Sequence, residues 1–271
     1  MPDIGLIWGN LILNPMINIM LIIYNFLFHN FGIAIILLTA LIRLITMPLT
    51  LKQQRSMEKM QELQRSKKWT DIEKKHKGDR TKIQQEQFKL SREVGVSPFG
   101  GCLPLLLQFP IIIGLYQSIT RALATVPAQL LELSKHIYPT TLIPASLLPL
   151  SSHFLAWDLA LPEKSTGPTI PGIPIPIPIM TILVVITSYL QTKLTTPPST
   201  DPQSKQMSSM MTLYMPFLLG FFAYSYASGL ALYFLTTNLL TIGQYAALGK
   251  VNWRSALSLR GSGEPTRPAG R

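Results

Sequence analysis

Residues Gly32–Leu51, GIAIILLTALIRLITMPLTL, form a run long and apolar enough to enter a bilayer, and its interior carries one charge, Arg43. A guanidinium keeps its proton at any physiological pH. Placing it in hydrocarbon costs from about 3 to more than 10 kcal/mol. Asn30 lies 13 residues before it and Lys52 lies 9 residues after it, so roughly 20 Å and 14 Å along a helix. Snorkelling covers only part of either distance. Such a chain needs a polar pocket at membrane depth, and its other segments have to build it.

The rest of the chain has the material to do so. Of its 271 residues, 47% are hydrophobic and 14% charged, a balance typical of multi-span membrane proteins. The net charge of +11 is not spread evenly, since 13 of the 24 Lys and Arg fall between Lys52 and Arg92. Sequence-specific nucleic-acid binding is therefore not expected. The lone Cys102 excludes an internal disulfide and a thiolate metal cluster. His29, His76, His136 and His153 show no ligand spacing, so no metal and no cofactor are expected. The start, MPDIGLIWGNLILNPM, has no basic n-region and no cysteine. Neither a cleaved signal nor a lipid anchor is expected there.

Taken in order, residues 1–30 read as an external N-terminus in which 10–29, broken by Asn10, Asn14, Pro15, Asn18 and Asn25, form an amphipathic helix on the outer surface. The outer part of one long tilted helix is the alternative. The first span is 31–51. Residues 52–97 are charged and rich in helix formers, with a turn signal at Lys77-Gly78-Asp79-Arg80. They predict a cytoplasmic hairpin in which Met57, Met60 and Leu63 face Ile83, Leu90 and Val94. A second span, 98–124, starts at Pro98 and Gly100-Gly101 and holds Pro104 and Pro110. Its Gln108 and Gln117 either bond between helices or line a wet cavity. Residues 125–174 read as external, with a short helix near Ala128–His136 and interfacial contacts from Tyr138, Phe154 and Trp157. PTIPGIPIPIP, at 168–178, is an extended lead-in. A third span is 175–194, a polar loop 195–207, a fourth span 208–225, a fifth 230–248 and a basic tail 249–271.

The expected fold is thus an all-α polytopic membrane protein with five transmembrane helices, an outer amphipathic helix and a cytoplasmic helical hairpin. Basic loops stay in the cytoplasm. This puts the N-terminus outside and the C-terminus inside a cell membrane, because the opposite orientation translocates the hairpin's 13 basic residues. No catalytic constellation is present: HExxH, GxSxG and Walker A sequences are all lacking. The spans hold no Asp or Glu, which argues against carboxylate-coupled proton transport. What remains is a cation in a low-dielectric cleft, which attracts acidic or polar peptide segments. Use of Arg43 to bind anions, in a small-anion transporter or channel, is the alternative. It predicts repeated halves with broken helices, and no internal repeat is visible.

Several stretches together resemble the membrane protein insertases of the YidC/Oxa1/Alb3 family. They are the arginine-bearing GIAIILLTALIRLITMPLT, the charged hairpin, SPFGGCLPLLLQFPIIIGLYQSI, YLQTKL, MPFLLGFF and ASGLALYFLTTNLLTIGQ. The resemblance covers about residues 10–248. It implies a non-enzymatic protein that inserts newly made membrane proteins, alone or with the Sec translocon, through a groove open to cytoplasm and lipid. Arg43 matches the family's groove arginine. Gln191 and Phe234 fall where relatives place other groove-lining groups, and Gln108 is added to that set. Nascent membrane proteins, the Sec translocon, the ribosome and the lipid bilayer are the implied partners. As departures from the family pattern, no large external domain and a short tail are expected, and Ala227 stands before Ser-Gly-Leu.

Overall fold

The structure, a computed structural model, describes residues 4–27, 29–76, 78–96, 103–123, 126–139, 143–144, 147–166, 177–195 and 202–249. Lys77, the Gly100-Gly101 start, nearly all of 168–178, residues 196–201 and the tail from Lys250 lie outside the described residues. The described chain is overwhelmingly helical. Helix α1 (Ile4–Trp8) passes through a π-helical turn, Gly9–Leu13, into α2 (Asn14–Phe26). Then follow α3 (Phe31–Gln64), α4 (Lys67–Lys75), α5 (Arg80–Glu93), α6 (Leu103–Ala122) and α7 (Pro127–Ser134). A two-residue antiparallel ribbon, β1 (His153–Phe154) with β2 (Trp157–Asp158), precedes α8 (Glu163–Thr166), α9 (Ile179–Thr195), α10 (Pro202–Ser225) and α11 (Ser228–Ala247).

The starts of the helices follow capping chemistry. Asn30 Oδ1 accepts from Ile33 N at 3.2 Å and Asp79 Oδ1 from Lys82 N at 3.1 Å, while Ser66 Oγ caps α4. Each satisfies a backbone donor that the first turn leaves unpaired. α3 does not stop where the apolar run ends. It continues through Pro48 and the charged residues to Gln64. Ser66 then breaks it, and the seam forms at that corner from Leu63, Trp69 and Leu90, flanked by Met60 and Ile72. Val94, expected in the seam, is 54% exposed. The indole of Trp69, 6% exposed, supplies the large apolar surface of the seam instead.

Gly5–Phe26 and Phe31–Gln64 are long and apolar enough to cross a membrane by length and composition, and Ile179–Thr195 and Ser209–Ser225 are shorter apolar helices. One face of α2, with Met16, Ile17, Met20, Leu21 and Tyr24, is buried. This spacing is that of a helix stripe. α9, α10 and α11 pack on one another, and α11 also packs on α3.

The core is not centred. It gathers at the end where α3, α9 and α11 start: Phe31, Ile35 and Leu38 meet Leu115, Ile119, Met180, Val184, Ala223, Ala231 and Phe234 there. On α3, buried residues run from Phe31 to Thr39 and resume only at Gln53.

Segment 150–166 seals this end. Ser228 N and Oγ both donate to Leu161 O at 2.8 Å, and Gly229 N donates to Leu159 O at 3.0 Å. The first turn of α11 is thereby satisfied by main chain. Phe154 and Trp157 are partly buried and pack against the main core. The Phe154 ring lies where a Cβ on Gly32 would sit. Gly32→Ala is expected to destabilise the protein by about 1–3 kcal/mol through overpacking. Phe154→Ala in the same chain should recover part of that loss. Thermal unfolding in detergent measures both.

Candidate functional site: a polar seam around Arg43

Arg43 sits one turn past Thr39, where α3 leaves the core. Its side chain is half-buried, and among the described residues it makes no ion pair. Two α11 tyrosines, Tyr233 and Tyr245, lie near it. α3 places Thr39, Arg43, Thr46, Thr50 and Gln54 at helical spacing, so they share one face. α11 does the same with Tyr233, Thr237 and Thr241. Tyr245 meets the Gln54 side chain and lies near Glu58. A polar seam therefore follows the α3–α11 contact away from the core.

Three threonine hydroxyls along the seam are tied to their own helices. Thr39 Oγ1 donates to Ile35 O at 2.6 Å, Thr46 Oγ1 to Ile42 O at 2.8 Å, and Thr241 Oγ1 to Thr237 O at 2.7 Å. They present lone pairs outward without leaving buried donors unmet. Further along, the Gln53 carboxamide and Gln244 Nε2 are buried with no partner among the described residues.

The predicted site residues are distributed as follows. Gln108 of α6 donates to the Tyr233 hydroxyl, so it reaches Arg43 through one intermediary. That bond links α6 to α11. Phe234 is 4% exposed and packs in the main core beside Tyr233, with ring centroids 5.6 Å apart. Gln191 lies on α9, half-buried. One turn earlier, Asn238 Nδ2 donates to Ser188 Oγ at 2.8 Å and Thr187 Oγ1 at 3.1 Å, clamping α11 to α9. Gln117, the other open case, accepts from Trp8 Nε1 at 2.9 Å.

Two residues escaped sequence reasoning. Tyr233 sits next to the expected Phe234, and only its facing position separates the two. The other is Glu163, which is fully buried. Its Oε1 accepts from Trp157 Nε1 at 3.1 Å and Met180 N at 2.7 Å, and its Oε2 accepts from Thr181 N and Oγ1, both at 2.8 Å. A lone acid shortly before an apolar helix was the available signal.

On the opposite side of α3, an apolar hollow of about 200 Å³ is lined by Ile12, Met16, Leu38, Ile42, Ile45 and Pro110, among others. α3 thus carries a cation towards α11 and hydrocarbon towards α2 and α6. Apolar helices, two of them long enough to cross a membrane, pack around a guanidinium that makes no ion pair among the described residues and faces polar groups on α11, which describes a helical protein with a polar seam. The comparisons give the family. A sequence model of the 60Kd inner membrane protein family matches residues 22–254. The chain belongs to this family, that of YidC, Oxa1 and Alb3. It is similar to the membrane protein insertase YidC of Syntrophobacter fumaroxidans, 36% identical over 88% of this chain and 37% of that protein. It is also similar to YidC of Syntrophus aciditrophicus, 34% identical over 90% and 37%. A crystal structure of active YidC insertase with its first transmembrane domain resolved aligns at TM-score 0.50 and 30% identity, over 80% of this chain and 41% of that one. The chain thus spans about two fifths of the length of the relatives it matches.

Proposed function

We propose that this protein is a membrane protein insertase and chaperone. In this reading α3, α6, α9, α10 and α11 are five spans, α1–α2 packs on the outer half of α3 and α6, and the hairpin and C-terminus are cytoplasmic. The polar seam is one wall of a groove open to the cytoplasm and to lipid. Arg43 receives the acidic or polar segment of a client, while the client's apolar span leaves sideways into hydrocarbon. Gln108 and Tyr233 hold the rim, Gln191 belongs to the wall, and Phe234 backs it from the core. The Sec translocon and the ribosome are proposed partners, the latter through the basic hairpin and tail. No bond is made or broken. The driving force is apolar client surface leaving water, at about 25 cal/mol per Å².

One observation carries this reading: a half-buried guanidinium that no carboxylate neutralises among the described residues, placed where α3 leaves the core. A charge already paired inside the protein has little field left for a client, whereas this one keeps it. The kinship with proteins named membrane protein insertases supports the same conclusion.

The test is site-specific photocrosslinking from position 43 to ribosome-bound nascent chains of a single-span client. Crosslinks to the client's polar flank are expected, with fewer from the exposed apolar position 186 on α9. Absence of client crosslinks from position 43, with lipid adducts in their place, overturns the groove mechanism.

A further inference from the structure

A second polar cluster lies outside the Arg43 seam, and the insertion mechanism does not use it. It joins α2, the end of α6 and the residues after α7. Arg121 Nη1 lies 3.2 Å from His136 Nε2, and His136 Nδ1 lies 2.7 Å from Asn14 Oδ1. Asn14 Nδ2 donates to Asn10 Oδ1 at 3.2 Å. Asn18, 3% exposed, donates to His136 O at 2.8 Å and accepts from Tyr138 N at 2.8 Å.

These contacts fix the protonation state. A guanidinium has only donors, so His136 Nε2 accepts from Arg121. The proton of the neutral ring is therefore on Nδ1 and is donated to Asn14 Oδ1. Asn14 Nδ2 is left to donate to Asn10, as observed. Every member of the relay is satisfied only while the imidazole is neutral. A second proton has one place to go, Nε2, where it meets the N–H of Arg121.

We infer that the His136 joint is a pH-sensitive latch, which holds the first half of α2 against α6 and the 136–138 segment at neutral pH and releases it in acid. The charged groups facing the ring, among the described residues, are Arg121 from α6 and Glu132 and Lys135 from α7. α2 contributes only the amides of Asn14 and Asn18. Burial chiefly, then Arg121, and Lys135 in lesser degree, push the His136 pKa down, and Glu132 opposes them. The sign follows. An unfolded or released histidine titrates near about 6.5, above its value in the latch, so the released state binds more protons in the window between the two values. The latch's stability is fully present above that window and is lost as the pH falls through it.

The release is local. The far half of α2 stays tied through Tyr24, which is buried beside Phe31 and whose hydroxyl accepts from Ser151 N at 3.0 Å. What loosens is Asn10–Asn18, whose Ile12 and Met16 also wall the apolar hollow beside α3. Acid on this face thus frees one wall of that hollow.

The experiment is amide exchange of the whole protein in lipid nanodiscs, corrected for intrinsic rates, at about pH 7.5 and pH 5, straddling the ordinary histidine value. Protection of residues 14–21 and 136–138 is expected to fall in acid, by about tenfold for each pKa unit of depression, while 180–188 is unchanged. His136→Gln keeps a neutral donor and acceptor, so it should show no such fall. Arg121→Gln removes the repulsion and should shrink it. Ring-nitrogen NMR of the wild type should show the Nδ1–H tautomer at neutral pH, which tests the latch even if a variant does not fold. Unchanged wild-type protection in acid, an equal fall in His136→Gln, or the Nε2–H tautomer overturns the inference.

Discussion

Arg43→Glu is expected to lower insertion of a single-span client with an acidic translocated tail by about tenfold or more. At close range, an attractive charge pair near a protein surface gains about 4 kcal/mol at an effective dielectric of 20. The reversed charge turns that attraction into repulsion, and only a fraction of the gain need be lost for a tenfold effect, which takes about 1.4 kcal/mol. Arg43→Lys should keep most activity if charge is what matters. It should fall well short if the planar fork has to bridge the client and the hydroxyls of Tyr233 and Tyr245. A client with a neutral tail should be nearly indifferent to all of these changes. Insertion into proteoliposomes, scored by protease protection of the tail, reads each case. Full activity of Arg43→Glu on the acidic client removes the electrostatic capture step from the mechanism.

The expected loss depends on where the charge sits relative to the core. Had α3 kept its buried face beyond Thr39, Arg43 would be locked in packing and its substitution would chiefly unfold the protein. Instead the buried stretch stops there and resumes only at Gln53. Changes at Arg43 should therefore affect insertion more than folding. Tyr233 differs: it is 2% exposed, bonded by Gln108 and packed beside Phe234.

This division also explains what was legible in the sequence. The long apolar runs, their separation by a charged segment and the arginine inside one of them are local features, and local features fix helix positions. Gln108 was legible as a polar group in an apolar helix, but its partner, 125 residues away, was not. The seam between α3, α4 and α5 was legible as an apolar stripe, but its register was not, because Ser66 bends the chain at a point that periodicity ignores. His136 showed nothing in the sequence. Its meaning comes from residues 15 and 122 positions away. Sequence spacing reports which side chains share one helix face, and it says little about which faces meet.

The second large effect is expected at Glu163. Glu163→Ala leaves Trp157 Nε1, Met180 N, Thr181 N and Thr181 Oγ1 without their acceptor. Each buried unsatisfied donor costs about 1–3 kcal/mol. The carboxylate also complements the positive end of α9, worth up to about 2 kcal/mol in a partly buried setting. A loss of at least about 3 kcal/mol is expected, large against a typical total of about 5–15 kcal/mol. Glu163→Gln distinguishes charge from shape. One of its two heavy atoms becomes an NH2 group and faces either Trp157 Nε1 and Met180 N or the two Thr181 donors. Only the Thr181 hydroxyl can rotate to accept, so the amide should turn its nitrogen towards Thr181 and still oppose one backbone N–H. Glu163→Gln should thus cost less than the alanine change but remain clearly destabilising, and Glu163→Gln with Thr181→Val should be worse than Glu163→Gln alone. Thermal unfolding in detergent orders the variants. If Glu163→Gln melts with the wild type, the anion at the start of α9 is dispensable, and the ribbon and Leu159–Leu161 carbonyls alone hold that end of the bundle shut.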